Sequence, residues 1–449
     1  MASNARRSKL DANKPGGMMS TAIIGHIFQV VQDAQGTLSI DSRPDHGLMI
    51  DDQGTITSVM PKKDCGHADR IVDYGDRLIL PGFIDTHVHF PQTDMIGVYS
   101  GELLEWLDEH TFPHETALIQ DPEQAKDSAK AFANELFRHG TCTAVAFACS
   151  KKSATQILFE EFDRNGARLV SGKISMNRFA PEGMLDQIDD DLQAQSQLIQ
   201  DWNGKDERLF YALSPRFAPS CSADLLQGIS DLLVKNPKLY VQTHFAENLD
   251  EVAWVKDLFP KSTDYLGVYE DYGLINERCI LAHGIYASAS ERERLKRSRT
   301  MVSHCPTSNL FLGSGLLPYR SFREQGIVLG LGTDVGAGTS FSLWQTMAEA
   351  VKVSKLRREQ VLPEDLFFAA TLGAAQGLQL SDRIGSLEAG KQADFQVIDP
   401  SRRELLKRRL PYCHDHRQFL SALIFHCDDR NLESLWVKGR KIFENNTSA

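Results

Sequence analysis

Apolar, strand-like runs in this chain repeatedly end on a histidine or an aspartate, and that recurrence restricts the fold more than any other feature. Leu78-Ile79-Leu80 and Phe83-Ile84 lead to His87 and His89. Leu239-Tyr240-Val241 leads to His244, Cys279-Ile280-Leu281-Ala282 to His283, and the run from Ile327 to Leu331 to Asp334. Side chains alternate along a strand, so His87 and His89, two residues apart, point to one face. Alone, such a pair is as well explained by two satisfied polar residues. Repeated at four strand ends, the pattern points to the mouth of a parallel barrel with a divalent metal in it.

Longer motifs surround these residues: Pro81-Gly82-Phe83-Ile84-Asp85-Thr86-His87-Val88-His89, His244-Phe245-Ala246-Glu247, Ala282-His283-Gly284, Ser303-His304-Cys305-Pro306-Thr307-Ser308-Asn309 and Leu331-Gly332-Thr333-Asp334-Val335-Gly336. Together they resemble the metal-dependent amidohydrolase superfamily. Within it the chain is similar to the guanine deaminase family, through His89-Phe90-Pro91-Gln92, Thr111-Phe112-Pro113 with Glu115, Ser214-Pro215-Arg216-Phe217 and Thr339-Ser340-Phe341. The resemblance runs from about residue 24 to residue 443. It implies an α/β fold, a (β/α)8 TIM barrel with a small β-sandwich domain built from the N- and C-terminal segments.

The order of patterns along the chain agrees with that expectation. Residues 1–19 are polar and expected to be disordered, with Met18 or Met19 as alternative starts. Strand-like segments fill 20–80 and return in 385–445, where the resemblance implies one composite β domain. Residues 81–384 alternate strands with helical patterns, as a barrel requires. Asp121-Pro122 opens a helix running to His139, and strands are expected at 141–147, 167–176 and 209–214 before those that end at His244, His283, His304 and Asp334. The insertion at 93–120, rich in apolar residues, is expected to cover a pocket.

A formal net charge of −11 argues against a general nucleic-acid or membrane-surface role, both of which favour basic patches. The first residues lack an apolar signal segment. The eight cysteines (65, 142, 149, 221, 279, 305, 413, 427) form no CxxC and are read as reduced thiols of a cytoplasmic protein. Asn446-Thr447-Ser448 matches a glycosylation sequon and is read as incidental.

For the chemistry, His87, His89 and His244 supply neutral nitrogens and Asp334 a carboxylate to a catalytic zinc, one per subunit, although iron(II) suits the same ligands. By resemblance, His283 lies just outside the ligand shell, hydrogen-bonded to the attacking water. A direct ligand, or a ligand to a second metal, is the other reading. The lysine that bridges two metals in binuclear relatives has no counterpart at Arg216, and Lys173 is read as a support behind the ligands or a packing residue. Glu247, three residues after His244, is expected to carry a proton from water to the ring, and Asp334 the second proton to departing ammonia. Also by resemblance, Arg216 offers its fork to O6 of guanine, Gln92 meets N7 or O6, and Phe217 and Glu247 line the site; Trp106 is added as a closing wall. The glycines around Asp334 are read as permitting close approach to metal and substrate, His304 as a rim or structural residue, and Cys413-His414-Asp415-His416 as a loop or interface feature.

These readings converge on hydrolysis of guanine to xanthine and ammonia, by a homodimer if the resemblance holds. The alternatives are another aminohydrolase acting on a related purine or pterin-like ring, and a non-catalytic protein on the same fold.

Overall fold

Two sheets account for all sixteen strands of the computed structural model, which describes residues 19–99, 101 and 103–445. The expected disordered tail, apart from Met19, and the Asn446 sequon lie outside the described residues. The first strands are β1 (Thr21–Gln32), β2 (Leu38–Ile50), β3 (Ile56–Pro61) and β4 (Arg70–Pro81). The barrel follows with β5 (Phe83–His89), β6 (Thr141–Phe147), β7 (Arg168–Gly172), the two-residue β8 (Ile174–Ser175), β9 (Leu209–Pro215), β10 (Tyr240–Phe245), β11 (Cys279–His283), β12 (Met301–His304) and β13 (Val328–Leu331). The chain then returns to the first sheet with β14 (Phe395–Ile398), β15 (Leu432–Val437) and β16 (Arg440–Glu444).

In the barrel the order is β5-β6-β7-β9-β10-β11-β12-β13, all parallel, with β8 pairing β9 off the path. These strands are almost wholly buried, as strands covered on both faces must be. The seam between β13 and β5 is drawn together just past the strand ends. Asp334 donates its backbone N–H to the carbonyl of His87 at 2.9 Å, and His89 donates to that of Val335 at 2.8 Å. Glycine makes this seam possible. A Cβ on Gly330 would lie 2.6 Å from the Thr86 side chain, and one on Gly332 would lie 2.8 Å from Cβ of His87. The close approach these two glycines permit is therefore of strand to strand, not of backbone to ligand as their sequence had suggested.

The second sheet runs β16-β15-β14-β4-β1-β2-β3. Its centre is β4, which pairs parallel with β1 and antiparallel with β14, so the two ends of the chain meet across one strand. The small domain expected from the sequence is thus one continuous hydrogen-bonded sheet. Alternation along β4 divides its residues: Leu78 and Leu80 pack into the barrel's cluster, while Ile79 packs with Ile23, Ile27, Leu48, Phe395, Val397 and Trp436 in the sheet's own core. After Gly82 the chain passes directly into β5, which sets the first histidine strand beside this sheet.

Strands β14, β15 and β16 fall within the expected 385–445, and helices Glu404–Arg409 and His416–His426 lie between β14 and β15. The Cys413-His414-Asp415-His416 cluster marks the start of the second helix: Asp415 is its N-cap and accepts from the backbone N–H of Gln418 at 2.7 Å. The insertion after β5 is helical, with helices Leu103–Trp106 and Phe112–Gln120 joined through a wide turn at Leu107–Thr111. Its Met95, Leu103, Trp106, Leu107 and Phe112 pack with Phe147, Ile174 and Leu312. The helix predicted after it is Pro122–Arg138, and Asp121 caps it as expected. Among the described residues no helix is long and apolar enough to cross a membrane.

Candidate active site

His87, His89, His244, His283 and Asp334 converge at the C-terminal mouth of the barrel, the end at which TIM barrels carry their chemistry. His87 and His89 project from β5 with ring centroids 4.8 Å apart, and their Nε2 atoms lie 3.2 Å from each other. Nε2 of His244, at the end of β10, is 3.2 Å from that of His89. Oδ1 of Asp334 is 3.2 Å from Nε2 of both His87 and His89. All four ligand atoms lie within 4.8 Å of one another, close enough to share one divalent ion. The donor set also has the right protonation. Burial lowers the pKa of all three imidazoles, that of His89 to about 4, so each keeps a free lone pair. Burial pushes the Asp334 carboxyl up, but the imidazoles of His87, His89 and His283 outweigh it and hold the group well below its ordinary value. His87, His89, His244 and Asp334 thus form a group able to hold a divalent ion.

The backbone delivers these groups at a cost. Ala246, His283 and Asp334 adopt φ of 49°, 73° and 53°, in a region that residues other than glycine avoid. Such turns fall at or just past the ends of β10, β11 and β13, where the chain leaves the barrel. Asp85 anchors the far side. Fully buried, it accepts from the backbone N–H of His87 at 3.2 Å and of Thr333 at 3.1 Å, tying β5 to the segment that carries Asp334. Burial raises its pKa to about 7.

His283 lies outside the quartet. Its Nε2 is 3.3 Å from Oε2 of Glu247 and 3.7 Å from Oδ2 of Asp334, and its Nδ1 is 2.9 Å from Oδ1 of Asn309. With Nδ1 donating to Asn309, Nε2 faces the centre as an acceptor. A second group, His283, Cys305 and Asp334, also converges, but burial pushes the Cys305 thiol well up, which disfavours it as a ligand. Glu247 is buried. Ser314 donates to its Oε1 at 3.0 Å, and burial, followed by the charges of Asp334 and Glu251, raises its pKa well above the usual range.

Gln92, Arg216, Phe217 and Trp106 line the same cavity as these groups, with Leu103, Leu107 and Leu312. The acceptor of Gln92 is already engaged by the backbone N–H of Gly336 at 3.1 Å, so a ligand meets this amide mainly as a donor. Arg216 lies over the Phe112 ring at 5.2 Å. Phe217 packs edge-on against Trp254, and the Trp106 indole donates to the carbonyl of Val98 at 3.2 Å.

Two expected residues lie apart. Lys173 is fully enclosed in the break between β7 and β8, where its ammonium pairs with Asp186 and Asp191. His304 is not at the rim. It is completely buried against Tyr319, neither ring nitrogen has a partner among the described residues, and burial pushes its pKa down to about 3. Sequence reasoning attached no role to Glu115, Asn309, Ser314 or Asp85, although all but Ser314 lie in the motifs quoted above; each touches one of the expected site residues.

Comparison with known proteins agrees with this geometry. A guanine deaminase of Escherichia coli (strain K12) is 39% identical over 377 residues, covering 84% of this chain and 85% of its own. The solved structure of E. coli guanine deaminase superposes with a TM-score of 0.89 at 36% identity, covering 95% of this chain and 100% of that one. A guanine deaminase from C. acetobutylicum, solved with guanine bound in the active site, gives a TM-score of 0.85 at 31% identity, with 94% and 100% covered. Residues 78–442, from the end of β4 through the whole barrel to β16, match the amidohydrolase family. With a parallel barrel, a histidine–aspartate quartet at its mouth and that match over most of its length, the chain belongs to the amidohydrolase family.

Proposed function

We propose that the chain hydrolyses guanine to xanthine and ammonia. The observation that carries this reading is the meeting, in one cavity, of a proton-carrying pair and a donor edge. Glu247 and His283 line it together with Arg216, Gln92 and three of the quartet, His89, His244 and Asp334. Guanine is deaminated at C2, while O6 and N7 form its acceptor edge on the other side of the ring. The pair suits the first and the donors suit the second.

One zinc per subunit, held by His87, His89, His244 and Asp334, is part of this reading. When bound, it supplies Lewis acidity that brings deprotonation of water into the neutral range. The chain's own residues do the rest. Arg216 and Gln92 donate to O6 and N7 and fix the ring in the cavity, with Phe217 and Trp106 as apolar walls. His283, oriented by Asn309, accepts from the attacking water. Glu247, whose surroundings raise its proton affinity, takes one proton from that water and delivers it to N3 as C2 is attacked. Asp334 passes the second proton to the amino group, which leaves as ammonia. Water and guanine are thereby fully accounted for in xanthine and ammonia.

A homodimer, expected from the sequence resemblance alone, is the assembly that goes with this reading. The absence of any disulfide among eight free cysteines, seven of them buried, supports a cytoplasmic location. The deciding experiment is ammonia release from a panel of guanine, oxidised guanine, adenine, pterin and cytosine, with zinc and iron measured on the same preparation. Guanine is expected to be the best substrate of a zinc-loaded protein. Metal-loaded protein that releases no ammonia from guanine refutes the reading, and a strong preference for another ring reassigns it.

A further inference from the structure

Glu115 is completely buried on helix Phe112–Gln120, yet it touches both residues of the donor edge. Nη1 of Arg216 donates to its Oε2 at 2.9 Å and to its Oε1 at 3.2 Å, and Nε2 of Gln92 donates to Oε1 at 2.9 Å. An ionised carboxylate only accepts, so it can hold both donors at once. With the Gln92 oxygen held by Gly336 N–H, the amide is fixed at both ends and keeps one N–H for a ligand. Among the described residues, only Nη1 of the Arg216 guanidinium has a side-chain or backbone acceptor. The remaining donors of the fork, steadied on Phe112, are left for a ligand.

Resting on the guanine reading above, we propose that Glu115 is a positioning and selectivity residue: it aligns Arg216 and Gln92, and it cancels the arginine's charge so that the edge selects a neutral lactam. Its second task concerns product release. Xanthine has a second carbonyl in place of the amino group and is a stronger acid than guanine. A buried guanidinium without a partner would retain the xanthine anion; paired with Glu115, it presents directed N–H groups without net charge. The helical insertion that closes the cavity thereby carries a determinant of which ring enters and which leaves.

The test is Glu115→Gln, which keeps shape but points an amide at two donors and leaves Arg216 uncompensated. The intact protein is assayed first, and if it releases no ammonia from guanine, the functional reading fails independently of this one. In the variant, KM for guanine should rise by about tenfold or more, the weight of a charge-assisted hydrogen bond, with a smaller change in kcat and unaltered zinc content. The ratio of the xanthine inhibition constant to the guanine KM should fall, and fall further as pH rises through xanthine ionisation. A purely structural glutamate would lower melting temperature and active fraction and leave that ratio and its pH dependence unchanged, which overturns the proposal. If the variant does not fold, E115Q/R216M removes both buried charges together. Its KM for guanine should then match that of R216M alone, and a further, additive loss overturns the proposal.

Discussion

The backbone carbonyl of Arg216 accepts a hydrogen bond from Nδ1 of His244 at 2.6 Å. The backbone N–H of His244 donates to the same oxygen at 3.2 Å. One peptide at the end of β9 therefore orients His244, a proposed metal ligand at the end of β10, while the Arg216 side chain lines the cavity. Placing the proton on Nδ1 leaves the Nε2 lone pair free for an ion, and the hydrogen bond fixes the ring plane. Tyr269 adds to this by donating to the carbonyl of His244 at 2.9 Å.

Because the carbonyl rather than the guanidinium holds His244, Arg216→Met should leave metal content unchanged. Turnover of guanine should fall by about 1.5–3 kcal/mol in kcat/KM, since O6 loses a charge-assisted partner. A purine lacking O6 should show no comparable penalty. Equal losses on both would mean that Arg216 does not read O6, and loss of zinc would mean that its side chain supports the ligand shell.

His87→Ala and Asp334→Ala should each strip the metal or abolish nearly all turnover. Each removes one of four converging donors, and Asp334 also supplies the only carboxylate of the quartet. Metal analysis beside ammonia release decides the point. A variant with full metal content and full activity would remove that residue from the ligand set.

What could be read in the sequence was the part that depends on local pattern. An apolar run followed by histidine marks a strand and the residue at its mouth, and Asp121-Pro122 marks a helix start. Both kinds of feature were found where they were expected. The rest depends on contacts between distant segments. Glu115 and Arg216 are separated by 101 positions, and a buried glutamate on an amphipathic helix reads as a surface residue until the fold brings its partner. Gly330 and Gly332 looked like ligand-approach glycines because they flank Asp334; only the closure of β13 on β5 shows what their missing Cβ atoms avoid. Helix His416–His426 was missed because its start, Cys413-His414-Asp415-His416, resembles a metal cluster more than a cap.

A pH effect on stability follows from the second sheet, away from the catalytic groups. His26 on β1 lies 2.8 Å from Oγ of Ser42, and burial, helped by His416 on the facing helix, lowers its pKa from 6.5. Asp45 and Asp76 oppose the shift without reversing it. The unfolded chain thus binds a proton that the folded chain refuses, so stability falls as pH drops below 6.5 toward the folded-state pKa. His26→Gln retains a partner for Ser42 and should flatten the melting-temperature profile over that acid range. An unchanged slope would show that His26 contributes nothing to it.

Glu247→Gln tests the proposed proton transfer. The substitution keeps size and hydrogen-bonding capacity, and Ser314 can still donate to the amide oxygen, yet the group no longer carries a proton. A positioned acid–base residue contributes roughly 10²–10⁴-fold in rate, so kcat should fall by about that factor. Zinc content should not change, because Glu247 is outside the quartet. A guanine analogue should bind with similar affinity, since Arg216, Gln92 and Phe217 are untouched. Two lesser roles predict different outcomes. If Glu247 only held the segment after β10, through its contacts with Ser314 and His283, the variant would melt earlier while its folded fraction kept the parent kcat. If it were a ligand, metal would be lost with activity. A variant that binds zinc and the analogue and still turns over near the parent rate would leave the proton to some other group, with His283, whose Nε2 faces both Glu247 and Asp334, as the residue to substitute next.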